Sequence, residues 1–151
     1  MSRVSQTVSR APGQDEPAVA GAGVTRFDVI CNARTPITVP GLARRWGEDR
    51  VLSREAVSRL AMLVRTAMEH GLRFDPRAVT MTLRWLDVDR VRIDVWWQGC
   101  RSTARRGASD SDLDSTVAAL DVLAEDWGFA TSRSGPVQWM VIDTRSTPAM
   151  P

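Results

Sequence analysis

Few side chains in this sequence are suited to chemistry, and their numbers and spacing close most routes. His70 is the single histidine, and no second histidine or cysteine stands beside it to complete a nucleophilic dyad. It precedes Gly71, where a partly charged imidazole suits the negative end of a helix, so a capping role is expected. Cys31 and Cys100 are the only cysteines. They are too few and too far apart for a zinc site, and in a reducing cytosol they read as free thiols. All 20 basic residues are arginine, so a phosphate-loop lysine and a Schiff base are both excluded. The cations best placed to pair with phosphates or with acidic groups of a partner are Arg101, Arg105 and Arg106, in the polar run Arg101 to Ser111. The plainer reading of that run is a solvated loop.

These groups must be positioned by a small set of elements. Residues 1–23 are rich in Ser, Pro, Gly, Gln and Ala with almost no large apolar groups, which predicts a flexible tail. Phe27, Val29 and Cys31 alternate with polar neighbours in Arg26 to Asn32, the signal of a half-buried first strand. Pro36 and Pro40 then punctuate a connection, and Gly41 to Trp46 makes a short helix. A long helix comes next, capped by Ser53. Val57, Leu60, Ala61, Val64, Ala67 and Met68 form its core stripe, with Glu55, Arg59, Met62, Thr66 and Glu69 on the other side. Strand-like runs cover Ala78 to Leu86 and Arg90 to Trp97. A second helix starts near Ser111 or Asp112 and ends in LAEDWG, and VQWMVID is a closing strand. Together these predict one domain over 24–145 and a short tail over 146–151. Its expected fold class is α/β, a two-layer α/β sandwich with a mixed four- or five-stranded sheet carrying its helices on one face.

The order of elements, the stretch Leu63 to Gly71 (LVRTAMEHG), the Leu-Ala-x-x-Trp-Gly run and the later Gly then Val-x-Trp resemble the GHKL family, the histidine-kinase-like ATPase domains with the Bergerat fold. Within it, the chain is similar to the small serine kinases that act as bacterial anti-sigma factors. The resemblance spans Phe27 to Asp143. It implies a nucleotide pocket facing the long helix, with a glutamate as general base and an asparagine one turn later holding magnesium. Matched through Ala67, His70 and Gly71, the base position is Met62 and the metal position is Thr66.

A thioether cannot take a proton, and threonine offers one oxygen to an ion that demands hard, well-placed ligands. Glu55 and Glu69 each lie seven residues from Met62, about 10 Å along a helix, too far to substitute directly. The resemblance also implies an adenine-reading aspartate at the end of the third strand. By register that position is Trp97, and an indole accepts no hydrogen bond. Only Gly99 is left of the glycines that come after it. Asp94, three residues away, falls on the opposite face and reads as a solvated outer residue. Asp114, Ser115 and Thr116 stand where the family carries Gly-x-Gly, which reads as an ordinary helix start. Arg101, Arg105 and Arg106 fall where the family has its lid over ATP.

Trp85, Trp96, Trp127 and Trp139 are expected in the core or in helix-on-sheet packing. Trp97 together with Met62 is expected to fill the former nucleotide pocket with apolar surface. The net charge of +2 and the scatter of arginines argue against nucleic-acid binding. No window is apolar enough for a membrane span or a signal peptide, which predicts a cytoplasmic protein. The expected function is that of a regulatory protein degenerate in ATP binding, needing no cofactor or metal and acting through a sigma factor, an anti-sigma antagonist domain or an identical subunit. The alternative is an active serine/threonine kinase of the anti-sigma type that uses ATP and magnesium.

Overall fold

In a computed structural model of the chain, residues 23–101, 110–133 and 135–145 are described, with the backbone alone for residues 110–113. The expected tails over 1–23 and 146–151 therefore lie outside the described residues, apart from Gly23. The order is β1 (Val24–Ile30), α1 (Thr35–Asp49), α2 (Arg54–Gly71), a single 3-10 turn (Leu72–Phe74), β2 (Ala78–Trp85), β3 (Arg90–Gln98), α3 (Asp110–Leu123), β4 (Asp126–Ser132) and β5 (Gly135–Asp143).

The strands form one five-stranded sheet in the order β1-β2-β3-β5-β4. Every neighbouring pair is antiparallel, so the expectation of a mixed sheet is corrected. The physical reason lies in β5. The crossover through α3 makes β4 run in the same direction as β3, but β5 inserts between them and pairs antiparallel with each.

Side-chain alternation assigns the sheet faces. Val79, Met81 and Leu83 of β2, Val91, Ile93, Val95 and Trp97 of β3, Trp127 of β4, and Met140 and Ile142 of β5 point into one core. Helices cover that face through Val39, Ala43 and Trp46 of α1, Leu60, Leu63, Val64, Ala67 and Met68 of α2, and Leu120 and Leu123 of α3. This is a two-layer α/β arrangement. Each buried Leu, Ile, Val or Met contributes about 1.5–3 kcal/mol relative to exposure. On the opposite face Trp96, Ala130 and Val137 form a smaller cluster.

The first strand keeps the expected inward set, with Phe27, Val29 and Cys31 against the core. Helix α1 is longer than expected and swallows both prolines. Pro36 sits in its first turn, where the missing N–H is no loss, and Pro40 lies inside the helix. The entry is closed by side chains: the Asn32 N–H donates to Thr35 Oγ1 at 2.8 Å and the Arg34 N–H to Asn32 Oδ1 at 2.8 Å. Ser53 caps α2 as expected, its hydroxyl accepting from the Ala56 N–H at 3.1 Å. The second half of the LAEDWG run does not close a helix. α3 stops at Leu123, and Glu125 donates its N–H to the Val141 carbonyl at 2.8 Å, which starts β4. Trp127 then points inward and donates its indole N–H to Asp121 at 2.9 Å.

Candidate functional site

Helix α2 and the end of β3 hold the positions singled out in the sequence. Met62 is half exposed and lines two grooves. One, of about 590 Å³ between α1 and α2, also includes Ile37, Arg44 and Arg65. The other, of about 430 Å³, includes Glu55, Arg59 and Leu123. Thr66, one turn on, donates its hydroxyl to the Met62 carbonyl at 2.9 Å, so its proton is committed inside the helix. Of the two carboxylates on this face, Glu69 pairs with Arg65 at 3.5 Å in an exposed i, i+4 contact, and Glu55 is exposed.

Arg59, expected on the polar side, is instead only 5% exposed. The helix buries more than one stripe because α1, α3 and the sheet all pack against it. Its guanidinium donates to the Asp143 carbonyl at 3.1 Å. Burial pulls the Arg59 pKa down, while the Asp143 and Glu55 charges oppose that pull.

Trp97 is 1% exposed on the helix side of β3, the face its register predicted. It lies directly on Gly71: a Cβ at that glycine would come within 1.8 Å of the indole. Gly71 has an ordinary helical φ of −77°, so it is needed for close approach and not for a left-handed cap. The helix runs on through the 3-10 turn to Asp75, whose φ is 53°. His70 accordingly packs more than it caps. It is 8% exposed, with its ring 4.7 Å from Phe129 and 5.8 Å from Phe74.

Met62 and Trp97 do not meet in one pocket. Trp97 borders a third cleft, of about 440 Å³, with His70, Phe74, Cys100, Phe129, Thr131 and Gln138. Met62 lies nine residues before Gly71, about 13 Å along the axis. The joint filling expected of the pair is therefore corrected: Met62 and Trp97 line separate pockets.

Gly99 has a φ of +63°, and a Cβ there would stand 3.0 Å from the Arg77 side chain. Glycine thus turns the chain at the end of β3. Arg101 is turned back by the same bend. Its N–H donates to the Asp75 carbonyl at 3.0 Å, and its guanidinium pairs with the Asp75 carboxylate at 3.0 Å. Arg105 and Arg106 lie outside the described residues. Thr116 is half-buried within α3, behind the exposed Asp114 and Ser115, so these three form part of a helix body and not its start.

Asp94 is on the outer face as expected but is not solvated. It is 4% exposed and paired with Arg92 at 2.9 Å, and Arg92 also stacks over Trp139 at 5.0 Å. Trp46, which the sequence left open, is 3% exposed and donates to Thr25 Oγ1 at 3.0 Å. Burial pushes both cysteine thiols up, with the Thr35 hydrogen bond opposing it at Cys31 and the Asp75 charge adding to it at Cys100. Protonated thiols are poor nucleophiles at neutral pH. Among the described residues, no three His, Cys, Asp or Glu side chains gather to hold a metal, and no helix is long and apolar enough to cross a membrane.

Sequence reasoning missed Phe129 and Gln138. They come from β4 and β5, joined only by the sheet, and no local motif marks them. No family model matches this chain, and no curated protein matches it.

Proposed function

We propose that the chain is a regulatory protein with a histidine-kinase-like ATPase architecture, similar to anti-sigma factors, that acts by binding a protein and has given up nucleotide chemistry. The observation that carries this is Trp97. An indole with 1% exposure, seated on Gly71, occupies the strand end where the resembled family needs an adenine-reading carboxylate. The residues do not fit ATP and magnesium. Trp97 accepts no hydrogen bond, Thr66 offers a magnesium ion only one neutral hydroxyl oxygen, and Met62 has no basic atom.

Protein binding is supported by the groove between α1 and α2. Ile37 is 71% exposed and Met62 50%, with Pro36 and Pro40 in the same lining, the cation Arg44 beside them, and Arg65 paired with Glu69. An apolar strip beside positive charge suits an amphipathic segment with acidic flanks. Partners of that kind include a sigma factor, an anti-sigma antagonist domain or a second copy of the chain.

Thermal unfolding with and without ATP and magnesium tests the reading. A ligand at a hundred times its Kd adds about 2.7 kcal/mol of stability. No shift in Tm is the expected result. A clear rise, accompanied by phosphate transfer to a serine or threonine, would favour the rival kinase.

A further inference from the structure

We propose that the cleft beneath the end of α2 is a binding site for a neutral, planar aromatic molecule that presents an N–H or O–H donor. Its volume of about 440 Å³ falls in the range of small-molecule sites. Rings form its walls: His70 lies between Phe74 at 5.8 Å and Phe129 at 4.7 Å, and Trp97 borders the same space. Flat apolar walls favour a flat ligand through offset and edge contacts.

The polar address is Gln138. It is 1% exposed, and β5 places it opposite Phe129 of β4 and Val95 of β3. Its amide nitrogen is turned on Met140 Sδ at 3.8 Å, while its Oε1 is buried with no hydrogen-bond partner. An unpaired amide oxygen in apolar surroundings is costly, and a donor on a ligand recovers that cost. No Arg, Asp or Glu is among the described lining residues. A phosphate or carboxylate group would lie there without counter-charge, which is why the ligand is neutral. None of this depends on the ATPase-like reading of the chain.

The full chain is titrated with indole and with benzofuran, bicycles of the same shape with and without an N–H, while backbone amide shifts are followed. The expected result is saturable shifts confined to the cleft, with indole bound about tenfold more tightly than benzofuran. Thr131→Trp, at an exposed position on the rim, abolishes both titrations with Tm unchanged, and Gln138→Leu keeps binding but erases the tenfold preference. Absence of saturable binding, equal affinities for the two bicycles in the wild-type chain, or binding that persists in Thr131→Trp would overturn the proposal.

Discussion

At the end of β3 one indole and one glycine are matched by contact, and neither is explained without the other. Trp97→Ala removes a fully buried ring and is expected to cost about 3–5 kcal/mol, read as a fall in the denaturant midpoint. Gly71→Ala drives a methyl into that ring and should cost at least about 1–3 kcal/mol. Because the two residues touch, the losses will not add. The double variant Gly71→Ala with Trp97→Phe should be more stable than the sum of the single losses, since the smaller ring makes room for the methyl. Full additivity would show that the contact is not made. On the exposed face the outcome differs. Met62→Glu with Thr66→Asn restores the base and metal-ligand types of the resembled family, yet ATP binding should not appear, because Trp97 still holds the strand end. The thiols offer a simpler check. Burial raises both pKa values, so alkylation by iodoacetamide at neutral pH should run slower than for a free cysteine and accelerate as pH rises.

Among the elements, α2 does the most positioning, and Arg59 shows how. Its guanidinium reaches the Asp143 carbonyl at the end of β5, tying the start of the helix to the far end of a central strand. Arg59→Ala removes that donor and should cost about 1–3 kcal/mol. The β2–β3 hairpin is held in a similar way by one carboxylate. Asp87 accepts from the Asp89 and Arg90 N–H groups, both at 2.9 Å, and from Arg90 Nε at 2.7 Å. The Asp89 N–H bond and then the Arg90 contact hold its pKa below the usual carboxylate range. In β1, Asp28 is lowered first by the Thr80 hydroxyl, which donates at 2.6 Å, and then by Arg26. Both groups therefore favour the folded state above the ordinary carboxylate pKa, and that contribution is lost as pH falls through the lowered folded values. Tm should hold from neutrality to about pH 5 and drop below about pH 4. The drop should shrink in Asp87→Asn and in Thr80→Val. An acid limb unchanged by either variant would contradict this assignment.

Across the whole molecule, the features legible in the sequence are those that local spacing encodes. Phe27, Val29 and Cys31 alternate, so β1 was legible. The Ser53 cap and the apolar stripe of α2 were legible for the same reason, and strand register alone put Trp97 and Asp94 on opposite faces. The illegible parts are non-local or masked by a stronger local signal. Pro36 and Pro40 argue against a helix, yet one falls in the first turn of α1 and the other is tolerated inside it. β4 begins three residues after α3 ends, and its inward pair Trp127 and Phe129 is too short an alternation to stand out. The antiparallel sheet depends on β5 inserting between β3 and β4, which no window of sequence contains. The burial of Asp94 came from Arg92 and Trp139 closing over it. Similarly, the cleft under α2 draws its lining from the helix, the 3-10 turn and three strands, so His70, Trp97 and Cys100 stood out singly in the sequence with nothing to join them.

If the molecule's own packing has taken the place of a nucleotide, calorimetry tests it directly. Titration of the full chain with ATP in the presence of magnesium should give no saturable heat at concentrations up to the millimolar range. A single-site isotherm with a micromolar Kd would contradict that replacement.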